Sequence, residues 1–394
     1  MTSQPKVLIP KVLIPKVLIV SPVALDAQES DVATFMRSLI GELERRGYPY
    51  KYCVLTLNPD GSTTYSSSDA ATSVQILPAL PFTDSFESRA INLAWSTRQA
   101  LRPLLAEFQP DVISVHDSRL FLPFNFMSQK VQVTLHNRSL GFAHAFDRTH
   151  AGLQHYWEQK LAATRAKAVV LHSQSSMQML QRDVLSPFDA VLSKPTIFPI
   201  GLNAADYPDQ KQKLFNRKIV VSYMGGLNDP LLQFKRFAEV IAYLPEECRK
   251  NSIEAQVYSF DTMPDDIRQR QFSDITFFKL NSNIEIISAL AKTDILLLPR
   301  THDGTGILAL QAMLSNCKVI ATAGTAMDEY LEPDSYCGAD VQSMTDKLQF
   351  EIDNIAKVRA LQDANHYRDL VDQPQFNSQS MADSYISTWQ GMLQ

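Results

Sequence analysis

Asp294-Ile-Leu-Leu-Leu-Pro-Arg-Thr-His-Asp-Gly-Thr-Gly-Ile-Leu-Ala-Leu-Gln-Ala-Met313 decides the fold. Residues 294–299, apolar from Ile295 to Leu298 and closed by Pro299, read as a buried strand of a parallel sheet. A short polar turn holds Gly304 and Gly306, and residues 306–314 read as a helix. Ligands of open α/β sheets bind at such strand ends. Free N–H groups and the positive helix terminus favour an anion, and the glycines allow a ligand close to the backbone. Segment 293–315 is therefore expected to be an anion-binding corner, although a strand–turn–helix alone is as often a tight connection.

The flanks repeat the same alternation. Upstream, residues 218–224, 255–260 and 275–279 read as strands, and 234–243 and 284–292 as helices; 318–321 follows as another strand. An earlier series precedes it. Residues 16–20 are a first strand, and 31–46 a helix with Val32, Phe35, Met36, Leu39, Ile40 and Leu43 on one face and Gly47 as its C-cap. Strands follow at 52–57, 111–116, 131–136 and 168–172, with a long helix at 85–108 and another from residue 175; 62–68 reads as a polar turn. Strand–helix alternation occurring twice implies two doubly wound α/β domains facing a cleft. The expected division is a repetitive extension at 1–15, a first domain at 16–205, a second at 206–379, and a helix at 380–394 that packs back across one of the halves.

Composition sets limits. The chain has 394 residues, 45% hydrophobic and 20% charged, with a formal net charge of -5. That length suits two cores of roughly 150–200 residues. The charge balance does not supply the basic surface that nucleic acid requires. Cys53, Cys248, Cys317 and Cys337 lie far apart in sequence, so no metal-ligand spacing appears; reduced thiols of a cytoplasmic protein are expected. Pro-Lys-Val-Leu-Ile occurs three times, from Pro5, Pro10 and Pro15, and only the third copy runs on as a strand. A duplication explains the other two; an extra edge or partner-binding strand is the alternative. The lysines break any signal peptide, and no run reaches the ~20 apolar residues of a membrane span.

The 294–313 string resembles the hallmark of retaining glycosyltransferases of the GT-B architecture, the group 1 or family 4-like type. That hallmark is a strand, Pro, an acidic residue, Gly-Phe-Gly, and a helix with Leu-Glu-Ala-Met. Gly304, Gly306, Leu310, Ala312 and Met313 match as they stand, and Asp303 and Gln311 occupy the two glutamate positions. Val319-Ile-Ala-Thr322 and Gly324 are similar to the next family segment. Lys16-Val-Leu-Ile-Val20, Pro110-Asp-Val-Ile-Ser-Val-His116, Val133-Thr-Leu-His136, Phe198-Pro-Ile-Gly-Leu-Asn203 and residues 220–227 resemble other family pieces, in family order.

The resemblance implies a site and a reaction. The donor is a nucleotide-diphosphate sugar, a UDP-sugar first, and no cofactor or metal is expected. His136 and Asp303 take the catalytic positions. Gly225, Gly226, Lys235, Arg300, Gly304, Thr305, Gly306, Ile307 and Gln311 take the donor side. His116 and Arg138, with Arg119, fall on the acceptor side. The implied mechanism is departure of the diphosphate toward the helix terminus, with the acceptor hydroxyl attacking from the same face. The implied acceptor is a glycan or lipid-linked saccharide of the cell surface, met in the cytoplasm or peripherally at the inner membrane face. Three departures bear on this. Gly226 stands where the family has arginine, leaving Lys235, Arg236 or Arg300 to neutralise the diphosphate. Gln311 lacks the ribose-binding charge. The first loop, Ala24-Leu-Asp-Ala-Gln-Glu-Ser30, has no glycine. A GT-B-like binding or stabilising partner without catalysis therefore stays open, as does a sugar-nucleotide epimerase.

Overall fold

The computed structural model describes residues 14–23, 25, 31–57, 63–66, 86–125, 127–136, 150–187, 189, 191–208, 218–227, 233–262, 274–301 and 303–394. The N-terminal extension and the surplus repeat copies up to residue 13 lie outside these. The third copy enters β1 (Val17–Ser21), which is buried along its whole length.

The first domain continues with α1 (Asp31–Arg45), β2 (Tyr50–Leu57), β3 (Thr63–Ser66), α2 (Phe86–Phe108), β4 (Val112–Val115) and β5 (Lys130–Thr134). It ends with α3 (His150–Arg165), β6 (Ala168–Leu171), α4 (Gln174–Met179) and β7 (Thr196–Ile197). Its seven strands lie in the order β3-β2-β1-β4-β5-β6-β7. All neighbours are parallel except β3, which runs antiparallel to β2 with Val54 opposite Ser66. This corrects the turn expected at 62–68. Polar Thr-Thr-Tyr-Ser has no core-facing pattern, yet β-branched and aromatic residues suit an edge strand.

The second domain holds β8 (Ile219–Met224), α5 (Phe234–Tyr243), β9 (Ile253–Ser259), β10 (Ile275–Lys279), α6 (Asn283–Leu290), β11 (Ile295–Leu298), α7 (Ile307–Leu314), β12 (Lys318–Thr322) and β13 (Tyr336–Cys337). Four helices close the chain: α8 (Val341–Asp353), α9 (Ile355–Asp363), α10 (His366–Val371) and α11 (Ser378–Gly391). The sheet order is β10-β9-β8-β11-β12-β13, all parallel. The architecture is thus two Rossmann-like domains.

Amphipathic α1 shows how sequence sets packing. Ala33, Phe35, Met36, Leu39, Ile40 and Leu43 are buried, at the three- and four-residue spacing of one helix face. Gly47, at φ 61°, ends it where a left-handed residue is needed. Each large apolar side chain buried there is worth about 1.5–3 kcal/mol. The core that α1 faces runs on into the second domain, through Leu310 and Met313 of α7 and Tyr385 and Trp389 of α11.

The last helix settles on the first domain. Tyr385 Oη lies 2.9 Å from Thr134 Oγ1, Trp389 Nε1 donates to Gln132 Oε1 at 3.3 Å, and Arg46 pairs with Asp383. The joint at 198–208 and the approach to α11 run backbone to backbone. Leu202 bridges to Asn377, and a Cβ on Gly201 would meet Asn377 O at 2.0 Å. Buried Arg368 clamps the joint by donating to Ala204 O at 2.7 Å, Tyr207 O and Pro208 O at 3.2 Å, and Leu314 O at 3.0 Å.

Candidate active site

The expected corner is present where β11 ends and α7 begins, and its own residues occupy it. Asp303 Oδ1 accepts from the backbone N–H of Thr305 at 3.0 Å and of Gly306 at 2.8 Å. Two of the donors expected for an anion thus already hold one, the protein's own carboxylate. Asp303 Oδ2 pairs with Arg300 Nη1 at 2.7 Å, with both side chains almost wholly buried. Arg300 Nη2 donates to Met224 O at 3.3 Å, which ties the corner to the end of β8. Arg300 Nε is buried without a partner among the described residues.

Gly306 is required, for a different reason than ligand approach. Its φ is +65°, and an added Cβ would sit 2.6 Å from the Tyr330 ring. That ring, whose hydroxyl donates to Thr305 O at 3.2 Å, fills the space the missing side chain leaves. Gly304, Thr305 and Ile307 are buried as well.

The first domain covers the corner from above. Ser176 Oγ donates to Gly304 O at 3.2 Å, and Ser175 Oγ to Gly324 O at 3.1 Å. The Gln174 N–H donates to Glu329 Oε1 at 2.7 Å, so a second-domain carboxylate meets the start of α4. Thr305 Oγ1 reaches Asp31 Oδ2 at the start of α1, at 3.4 Å. The two domains are therefore closed upon each other at this point.

Open volume lies beside the corner. A cleft of about 530 Å³ runs between α1, α6, α7 and the domain joint, and Gln311, Arg37, Asn203, Asn283 and Tyr207 line it. The Gln311 amide donates to Tyr207 Oη at 3.2 Å. Burial pushes the Tyr207 phenol up to about 12. Gln311 Oε1 is left as the acceptor on this wall.

At the carboxyl ends of β4, β5 and β6, three buried histidines form a line. His116 Nδ1 is 3.0 Å from His136 Nε2, and His136 Nδ1 is 3.0 Å from His172 Nε2. His172 Nδ1 lies 3.0 Å from the Phe198 carbonyl, which can only accept, so that nitrogen carries a proton. Neutral rings then follow one polarity. His136 Nδ1–H donates to His172, and His116 Nδ1–H donates to His136. Burial depresses all three, His172 to about 4; the charge of neighbouring imidazoles adds to burial at His116, lowered to about 3, and at His136, lowered well below its ordinary value. Phe35 packs on all three rings.

The structure therefore brings together only part of the site read from sequence. His136 and His116 stand at the cleft ends of their strands, but both nitrogens of His136 are engaged within the line. Lys235 is exposed on α5, and half-buried Arg236 follows it. Gly225 N–H donates to Tyr258 O at 3.2 Å, and Gly226 O accepts from Tyr223 Oη at 2.9 Å, both within their own domain. Arg119 forks onto Asp117, at 2.6 Å for the closest contact. Arg138, His302 and most of the first loop lie outside the described residues. The sequence reading missed Tyr207 and the role of His172. Val-Leu-His at 170–172 echoes Thr-Leu-His at 134–136, and that echo was the available signal.

Residues 32–191 match the family model described as Glycosyltransferase Family 4. No curated protein sequence matches the chain. Among solved structures, sucrose-phosphate synthase from Thermosynechococcus elongatus is similar with a TM-score of 0.75 and 14% identity, over 96% of this chain and 99% of that one. WaaG, a glycosyltransferase involved in lipopolysaccharide biosynthesis, is similar with a TM-score of 0.66 and 14% identity, over 95% and 100%. HepE from Anabaena, solved in complex with UDP-glucose, gives 0.65 and 13%, over 95% and 99%. At such identities the likeness speaks to fold. The chain therefore has the two-domain GT-B fold, and its residues 32–191 match the Glycosyltransferase Family 4 model.

Proposed function

We propose that this protein is a glycosyltransferase that moves a sugar from a nucleotide-diphosphate sugar to a saccharide or lipid-linked acceptor, with retention at the anomeric carbon. The observation that carries the reading is the cleft of about 530 Å³ beside the α7 corner, with Gln311 in its wall. In this reading the nucleoside lies along that cleft. Gln311 Oε1 accepts from the ribose, while Tyr207 holds the amide. The diphosphate meets the first turn of α7, whose remaining N–H groups have no helical carbonyl to bond. Arg300, already buried beside them, supplies positive charge as the diphosphate leaves.

The reaction then needs no side-chain nucleophile. The acceptor hydroxyl attacks from the face the diphosphate leaves, and a phosphate oxygen takes its proton. The buried histidine line holds the β4–β6 strand ends rigid beneath the sugar. The Ser175 and Ser176 contacts close the domains and exclude water. UDP is the first candidate nucleotide, since HepE is solved with UDP-glucose. A lipid-linked acceptor would place the protein at a membrane surface. Among the described residues no helix is long and apolar enough to cross one.

A second reading has its own observation. The buried Arg300–Asp303 pair closes the corner on itself, as in a GT-B scaffold kept for binding rather than transfer. Thermal-shift measurements with UDP-, GDP- and ADP-sugars separate the two, followed by an assay of slow donor hydrolysis. Transfer requires stabilisation by one nucleotide and release of sugar from it. Stabilisation without any turnover favours the scaffold, and stabilisation by none of the three overturns the donor site.

A further inference from the structure

The outer layer of the first domain holds a second concavity. A groove of about 600 Å³ lies between α2 and the residues leading into β5. It sits toward the amino ends of the strands, whereas the corner and the histidine line lie at carboxyl ends. Its volume falls within the range of small-molecule sites.

The helical wall carries Trp95, Arg98 and Arg102, three and then four residues apart, hence one stripe of α2. Trp95 is 60% exposed. Arg98 and Arg102 are like charges four residues apart, an arrangement that costs an isolated helix a few tenths of a kcal/mol. Neither is ion-paired with a described residue. The chain as a whole is acidic, at a formal net charge of -5, so this local excess of positive charge stands out. Gln99, Ser128 and Gln129 add neutral donors and acceptors to the walls. Pro103 has no N–H, which leaves the Gln99 carbonyl without its helical donor in the same turns.

We propose that this groove binds an acidic oligosaccharide laid along α2. A pyranose ring stacks its C–H face on the Trp95 indole. Carboxylate, phosphate or sulfate groups meet the Arg98 and Arg102 forks, where charge-assisted bidentate bonds form. Hydroxyls bond to the three polar neutral side chains. A bilayer is a poorer match, because it needs a protruding apolar face and Trp95 instead walls a concavity. The site is distinct from the interdomain cleft and does not depend on glycosyl transfer.

Calorimetric titration of the full chain with tetragalacturonate, without nucleotide, is the test. One-to-one binding is expected, much weaker for neutral maltotetraose. Trp95→Ala, and separately the pair Arg98→Gln with Arg102→Gln, should each weaken it by about tenfold or more. Trp95→Phe should restore part of the loss, and melting temperatures should stay unchanged because these side chains are exposed. Gln311→Ala should bind tetragalacturonate normally, which separates this site from the donor cleft. Absence of binding overturns the proposal, as does equal binding by the variants. So does a result in which the variants lose only their attachment to vesicles of phosphatidylglycerol and phosphatidylcholine.

Discussion

Asp303 is both the acid at the family-motif position and the acceptor that closes its own turn, just ahead of α7. Arg300, Thr305 and Gly306 engage both of its oxygens, so a ligand would compete with them for the carboxylate. Asp303→Ala would strand the buried Arg300 guanidinium and two N–H groups. Loss of one partner of a buried pair costs about 3–5 kcal/mol, and the urea midpoint should fall accordingly. Gln311→Glu is the opposite kind of change. It puts a charge on the cleft wall, and hydrogen bonds to charged groups are stronger by about 1 kcal/mol. Affinity for a nucleotide that already stabilises the protein should rise about fivefold, by titration; unchanged or weaker binding would remove Gln311 from the ribose. The motif's residue types were legible in sequence. Their inward orientation was not, because a strand–turn–helix pattern does not say whether a carboxylate faces solvent or its own helix.

Individual elements show where local sequence suffices. The α1 face was readable from spacing alone, since burial of one side of a helix repeats every three or four residues. Polar β3 was not, because edge pairing depends on a neighbour rather than on its own pattern. Short β7 and β13 escaped for the same reason: two residues carry no periodicity, and only the adjacent strands β6 and β12 recruit them. The clamp on the domain joint belongs to this scale. Arg368 bonds carbonyls at 204, 207, 208 and 314 together. Arg368→Met keeps the apolar stem and removes every one of these donors. Hydrogen exchange at 202–208 should accelerate, with a stability loss of about 2–4 kcal/mol. Unchanged exchange there would mean that the backbone contact between Gly201 and Asn377 holds the joint by itself.

At the scale of the whole molecule, the histidine line couples stability to pH. All three rings have pKa values held below the ordinary range by burial. In the unfolded chain they take up protons near pH 6.5, and in the folded chain only around pH 4 and lower for His172 and His116. The folded state therefore binds fewer protons in that interval. Stability should be full above about pH 6.5 and fall as the pH drops toward 4, by up to about 1.4 kcal/mol per pH unit for each ring. Urea midpoints across this range check it, with His136→Gln expected to flatten the slope. A slope equal to that of the unsubstituted protein would mean other groups govern acid unfolding.

Sequence by itself determined that the chain would be two doubly wound α/β domains, and which strand end would carry the glycine corner. Burial periodicity and turn chemistry act over a few neighbours, so these were set locally. Tertiary structure decided the rest. Parallel, adjacent strands brought His116, His136 and His172 into hydrogen-bonding line, though 20 and 36 residues separate them. The closure of one domain on the other set the start of α4 over the corner. The glycine corner is therefore present, but Arg300 and Asp303 already satisfy part of it. Whether a buried carboxylate meets a ligand or its own turn depends on which groups surround it, and distant segments supply some of those groups only once the chain has folded.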